Sequence, residues 1–139
     1  MLCIVPTKDG SDTLLNDSLN VTYHSINGAL QESLHVFIKE GYKKLDTNKD
    51  KIRILEIGFG TGLNAWLTFL ETINNPSISV EYIALEPFPI EKEIIKKLNF
   101  PHLNTQNEEC SLHKAGFHPD LVYLLEKILR MSASLPSKW

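Results

Sequence analysis

The sequence predicts an α/β fold centred on a doubly wound parallel sheet and entered through an N-terminal hairpin and helix. Two short apolar runs, Ile52 to Ile57 and Val80 to Leu85, are rich in β-branched residues and read as buried strands. Between them stand a glycine cluster and then Leu63, Trp66, Leu67, Leu70 and Ile73 at helical steps. Strand, glycine turn, helix, strand is the unit that brings two strands parallel.

The elements follow in order. Lys8-Asp9-Gly10-Ser11 carries turn chemistry between the apolar segments Leu2 to Val5 and Thr13 to Leu15, which predicts a hairpin, and Val21-Thr22-Tyr23 suits a further short strand. From about Asn27 to Leu45, the residues Ala29, Leu30, Leu34, Phe37, Ile38 and Tyr42 recur with the period of an amphipathic helix that Gly41 weakens. Asp46 to Lys51 is a polar connection. The helix opened at Leu63 should stop at Asn74-Asn75-Pro76, and the second strand at Glu86-Pro87, with a helix from about Pro89 to Leu98 after it. Beyond Pro101 the chain turns polar and aperiodic from Asn104 to Gly116, and Leu121, Leu124, Leu125, Ile128 and Leu129 then mark one last amphipathic helix behind Pro119.

The chain has 139 residues, which fits a single domain, here divided into an N-terminal extension (1–50), a βαβ core (51–103) and a divergent tail (104–139). A net charge of −3 gives no field that would gather polyanions in general, although Lys92, Lys96 and Lys97, and the group Lys39, Lys43, Lys44, Lys49 and Lys51, could form local patches or simply solvated faces. Cys3 and Cys110 lack the spacing of a disulfide framework or zinc site, so both read as reduced thiols and no metal is expected. No run approaches the ~18 apolar residues of a membrane span, and the N-terminus lacks the apolar core of a secretion signal. The expected location is therefore the cytoplasm, with no membrane contact.

The chemistry is concentrated in Glu56-Ile57-Gly58-Phe59-Gly60-Thr61-Gly62. Glycines between a parallel strand and a helix let a ligand approach the backbone and aim helix N–H groups at it. A dinucleotide turn needs a small third residue for helix packing, and that position is Leu63. A phosphate loop would need Gly-Lys-Ser/Thr, which does not follow. An acid two residues before the first glycine remains. Glu86 ends the second strand close to the ~20-residue offset at which dinucleotide folds place the acid that holds ribose hydroxyls. Another nucleotide ligand, or a packing turn with capping acids, stays open on these residues alone.

The Glu-x-Gly-x-Gly-x-Gly pattern resembles the first motif of Rossmann-like methyltransferases that use S-adenosyl-L-methionine. That cofactor has no phosphate but carries an ammonium and a sulfonium, so a carboxylate at the strand tip is useful. Upstream, Tyr23-His24-Ser25-Ile26-Asn27-Gly28-Ala29-Leu30-Gln31-Glu32-Ser33-Leu34-His35-Val36-Phe37, together with Gly58-Phe59-Gly60-Thr61-Gly62-Leu63-Asn64, is similar to the methyltransferase domain of the MnmC family over roughly Thr7 to Leu103. The resemblance implies methylation of an aminomethyl group on tRNA wobble uridine, giving 5-methylaminomethyl-2-thiouridine, with S-adenosyl-L-methionine as cofactor and tRNA as substrate. It also implies an FAD-dependent oxidoreductase as a fused or separate partner.

By the same resemblance Glu56, Gly58, Gly60, Gly62 and Glu86 bind the cofactor, with Tyr23, Ser25, Gly28 and Glu32 beside its methionine end. His24 and His35 read as structural. Catalytic residues stay unassigned, because the family's later Asp-Ala-Phe-Ala/Ser-Pro-type motif is not found and Asp120, set in His118-Pro119-Asp120-Leu121, does not match it. The chain thus reads as the truncated front of such a domain, with uncovered apolar faces expected. The alternative is a catalytically inactive remnant that only binds the cofactor or serves as an interaction module.

Overall fold

The computed structural model describes residues 1–45 and 51–103. The predicted hairpin is present: β1 (Leu2–Pro6) pairs antiparallel with β2 (Asp12–Asn16), and β2 pairs in turn with the two-residue β3 (Val21–Thr22). Gly10 takes φ +84° in the turn, where an L side chain would be strained.

A second, parallel sheet joins β4 (Lys51–Ile57) to β5 (Ser79–Leu85), with Ile54 opposite Tyr82 and Glu56 opposite Ala84. Helix α2 (Leu63–Asn74) makes the crossover between them and ends at Asn74, within the Asn74-Asn75-Pro76 stretch that predicts its stop. Its Leu63, Ala65, Trp66, Leu67 and Leu70 are buried with Ile52 and Tyr82 of the sheet. Leu63, 1% exposed, fills the core at the position where a dinucleotide turn would require a small residue. The fold is thus α/β, with a two-stranded parallel sheet among the described residues.

Two helices are shorter than their periodicity suggests. The one expected over Asn27 to Leu45 is α1 (Ala29–Glu32), continuing in wider π-type turns over Ser33–Lys39, with Glu40 N–H reaching back to His35 O at 3.0 Å. It does not run on to Leu45. At Gly41 a Cβ would lie 2.5 Å from the Phe37 carbonyl, so the chain closes on that carbonyl and resumes as a 3-10 turn at Tyr42–Lys44. The helix expected over Pro89 to Leu98 shrinks to the single turn α3 (Lys92–Ile95). Pro87 and Pro89 supply no N–H, and at the far end Asn99 is held by the hairpin. Asn99 N–H donates to Asp12 Oδ2 (3.0 Å), Asn99 Oδ1 accepts from Asp12 N–H (2.8 Å), and Asn99 Nδ2 donates to Gly10 O (2.8 Å). A 3-10 turn, Phe100–His102, follows.

The start of α1 is also set by the hairpin. Ala29, Leu30 and Gln31 donate their backbone N–H groups to Thr7 Oγ1 (3.3 Å), Ser11 Oγ (3.0 Å) and Asp9 Oδ2 (2.8 Å), so the β1–β2 turn caps a helix some twenty residues away. Gly28 is buried beneath it, where a Cβ would meet Asp9 Oδ2 at 2.6 Å.

One face of the parallel sheet packs on α2, while the other leaves Leu55 and Ile57 63% and 72% exposed and Leu85 exposed beside them. Several lysines pair with acids: Lys43 with Glu71 (3.3 Å), Lys51 with Glu81 (2.7 Å) and Lys96 with Glu93 (3.3 Å). No described helix is long and apolar enough to cross a membrane. Cys3 is a free thiol; Cys110, Lys49 and the helix expected at Leu121 to Leu129 lie outside the described residues.

Candidate functional site

The site forms where β4 and β5 run out side by side. Gly58 N–H donates to Leu85 O at 2.8 Å, extending the parallel ladder one residue past Ile57 and fixing the tips of both strands together. The chain then turns through Gly58 (φ +83°), Gly60 (φ +53°) and Gly62 (φ +79°), all in the left-handed region that costs a side-chain-bearing residue about 1–2 kcal/mol. Gly62 is the N-cap of α2 and offers no side-chain cap, so the first N–H groups of the helix are left without an intrahelical partner.

Glu86 closes the turn from the β5 side. Its Oε2 accepts from Gly60 N–H and its Oε1 from Phe88 N–H, both at 2.9 Å. Two backbone donors hold the carboxylate in one orientation and still leave each oxygen a lone pair for a ligand hydroxyl. Glu56 shares a sheet face with Tyr82, because side chains alternate along both strands. The Tyr82 hydroxyl donates to Glu56 Oε2 at 2.8 Å, and Asn64 Nδ2, from the first turn of α2, donates to Glu56 Oε1 at 2.9 Å. Burial pushes the Glu56 carboxyl above the usual carboxylate range, these two hydrogen bonds pull it back, and the Glu86 charge pushes it up again. For Tyr82 burial and then the Glu56 charge hold the phenol far above its ordinary range, so it stays a proton donor.

Of the upstream residues, Tyr23 reaches the glycine turn: a Cβ on Gly60 would lie 3.1 Å from Tyr23 Cδ1. The other three gather at the start of α1. Ser25 N–H donates to Glu32 Oε2 (2.8 Å), Glu32 N–H donates to Gly28 O (3.0 Å), and Gly28 N–H donates to Ser25 O (3.1 Å). Ser25, Gly28 and Glu32 line a groove of about 650 Å³ with Asp9, His35 and Lys39. None of the glycine-turn residues lines that groove. His24 is half-buried and donates its backbone N–H to Thr13 Oγ1 at 3.0 Å; burial lowers the pKa of its ring, and the Glu32 charge partly opposes this.

Sequence reasoning missed Tyr82, Asn64 and Phe88. Tyr82 was legible in principle, being one alternation before Ala84 on the face that carries Glu56, but only strand register makes it a neighbour. Phe88, 81% exposed two residues past Glu86, takes part only through its backbone N–H, a group that its side-chain identity does not signal.

No protein-family model matches the chain. Curated relatives do. The tRNA 5-methylaminomethyl-2-thiouridine biosynthesis bifunctional protein MnmC of Legionella pneumophila (strain Lens) is 30% identical over 123 residues, covering 81% of this chain and 18% of that protein. The protein of the same name from Leptospira borgpetersenii serovar Hardjo-bovis (strain JB197) is 35% identical over 104 residues, covering 70% of this chain and 16% of its own length. The chain therefore spans less than a fifth of these curated relatives. Among solved structures, MnmC2 from Aquifex aeolicus superposes with a TM-score of 0.57 at 33% identity, over 66% of this chain and 31% of that one. With a parallel strand pair, a glycine turn and these likenesses together, the chain is MnmC-like, related through its N-terminal part to a portion of the MnmC proteins.

Proposed function

We propose that the chain binds S-adenosyl-L-methionine at the glycine turn and forms the cofactor-binding front of a methyltransferase acting on the aminomethyl group of wobble uridine in tRNA. The observation that carries this reading is the Gly60–Glu86 hydrogen bond, which sets the glycine turn and the β5-tip acid within one contact of each other. The relatives' names, which specify 5-methylaminomethyl-2-thiouridine biosynthesis on tRNA, support the substrate. In this reading β4 and β5 are two strands of a larger doubly wound, Rossmann-like sheet, residues 51–103 are the cofactor-binding core, 1–50 an N-terminal extension and 104–139 a divergent tail.

The residues present fit the cofactor. Among the described residues, apart from its own chain neighbours, nothing lies within 4 Å of a Cβ built on Gly58, so a ligand can approach that backbone closely. Glu86, oriented by two backbone donors, suits a ribose diol; Glu56, gripped by Tyr82 and Asn64, suits a cationic group. Tyr23 closes the turn from the hairpin side, with Ser25, Gly28 and Glu32 proposed beside the methionine end. When bound, the cofactor supplies a methyl group on a positively charged sulfur. The work of these residues is to hold that group still and to shield it, since an in-line transfer to an amine depends on alignment. The proposal includes a cytoplasmic location and, from the relatives' bifunctional character, an FAD-dependent oxidoreductase as partner.

Calorimetric titration with S-adenosyl-L-methionine tests the first layer: one site is expected, and a folded sample giving no heat at high micromolar cofactor overturns the reading. Methyl transfer from labelled cofactor to tRNA bearing 5-aminomethyl-2-thiouridine tests the second. The exposed Leu55 and Ile57 favour a second reading, a module that binds the cofactor and docks a partner through that face without transferring the methyl group. Binding without transfer would select it.

A further inference from the structure

Glu56 is buried deeply enough for its carboxyl to be pushed toward the neutral form, yet both of its oxygens face donors. Tyr82 comes from β5 and Asn64 from α2, so the two grips reach Glu56 from different elements and fix it both along and across the strand. With Glu56 ionised, the role of each partner follows. A carboxylate can only accept, so the Asn64 amide must present its nitrogen. Its Oδ1 is consequently left buried without a hydrogen-bond partner among the described residues, an arrangement that costs free energy. Tyr82, 6% exposed, can place its hydroxyl in few other directions.

We infer that Tyr82 and Asn64 are positioning residues that hold Glu56 as an ionised, singly oriented carboxylate facing the cationic end of a ligand at the glycine turn. The ligand half of this inference rests on the function proposed above; the carboxylate half concerns the free chain. Neither residue need touch the ligand. Their effect is to oppose the desolvation that would otherwise favour the protonated acid, and a neutral acid would lose its attraction for an ammonium or sulfonium. Among the described residues, the groups acting on Glu56 are the Asn64 amide from α2, the Tyr82 phenol from β5 and the Glu86 carboxylate from the turn after β5. Glu86 opposes ionisation, so the two hydrogen bonds work against burial and a like charge together.

The test uses the full chain with ¹³C-labelled glutamate. The Glu56 carboxyl signal is assigned by its loss in Glu56→Gln and followed against pH in the wild type, Tyr82→Phe and Asn64→Asp, each checked for folding by circular dichroism. Both substitutions nearly preserve shape, and each should move the Glu56 midpoint upward, Asn64→Asp the more because it replaces a donor with a second acid. Calorimetry on the same variants should show S-adenosyl-L-methionine bound about tenfold more weakly by Tyr82→Phe below that variant's measured Glu56 midpoint, the scale of one hydrogen bond to a charged group, with the loss shrinking as pH rises through that midpoint and Glu56 ionises. An unmoved Glu56 midpoint in both variants overturns the inference, as does an affinity loss that is the same at every pH, since a merely structural role predicts both. If the wild type binds no cofactor, the proposed function fails and the NMR titration alone decides whether Tyr82 and Asn64 control Glu56.

Discussion

Gly60 N–H lies 2.9 Å from Glu86 Oε2, so the acid that ends β5 is tied to the turn that ends β4 before any ligand is bound. The same carboxylate accepts from Phe88 N–H. Replacing Glu86 by Gln keeps the size and one acceptor but removes the charge. Glu86→Gln is expected to unfold within about 1 kcal/mol of the wild type, because one neutral acceptor is retained, while S-adenosyl-L-methionine binding falls at least about tenfold. Urea unfolding and calorimetry separate the two effects; unchanged affinity would exclude Glu86 from the cofactor site.

Gly58 and Gly60 differ in what surrounds them, and their alanine variants should differ accordingly. Both sit at positive φ, so each substitution is expected to cost roughly 1–2 kcal/mol in strain. At Gly60 the added methyl also presses on the Tyr23 ring, whereas at Gly58 it meets open space. Gly60→Ala should therefore be the less stable of the two in urea. Gly58→Ala should abolish cofactor binding with the smaller loss of stability, and retention of full affinity there would remove Gly58 from the site.

Asp9 predicts a pH dependence in the hairpin. Burial raises its carboxyl, but hydrogen bonds from Ser11, from Gln31 N–H and from Thr7 outweigh this and hold it below its ordinary value of 3.8. A carboxyl depressed in the folded state contributes stability at neutral pH, and that contribution is lost as pH falls below about 4 through the folded value. Asp9→Ala is expected to cost about 0.5–2 kcal/mol at pH 7, the worth of a helix cap, and progressively less in acid. Urea midpoints of both proteins at pH 7 and pH 3 check this. A difference that persists undiminished at pH 3 would point to packing against Gly28 instead.

His24 works in the same direction at higher pH. Burial lowers its pKa from 6.5, so folding favours the neutral ring and the unfolded chain binds more protons. Stability should be complete above about pH 6.5 and decline as pH falls through the folded value. ¹H NMR titration of the ring should give a midpoint below that of a free histidine; a midpoint above 6.5 would mean that the Glu32 charge dominates over burial.

Trp66, 2% exposed and stacked with Phe69 at a centroid separation of 6.0 Å, anchors α2 in the core. Trp66→Ala is expected to cost about 3–5 kcal/mol, a large part of the ~5–15 kcal/mol typical of a whole domain. Thermal unfolding followed by circular dichroism would show it, and a transition within a few degrees of the wild type would contradict the packing described.

By itself the sequence determined the parallel unit and the position of the glycine turn. Runs of β-branched residues, a run at helical period and the offset of Glu86 from the glycines are local signals, and β4, α2 and β5 follow them closely. Leu63 was legible as a bulky core residue where a dinucleotide turn would need a small one, because its bulk is a property of the residue. Tertiary structure decided where helices begin and end. Periodicity cannot know that Thr7, Asp9 and Ser11 will cap α1, or that Asp12 will draw Asn99 out of a helix, since those partners are distant in sequence and meet only after the hairpin folds. The candidate site divides the same way. Glu56, Glu86 and the glycines are visible in the chain, but the grip of Tyr82 and Asn64 on Glu56 exists only through strand register and the placement of α2. A carboxylate's charge is set by its surroundings rather than by its name.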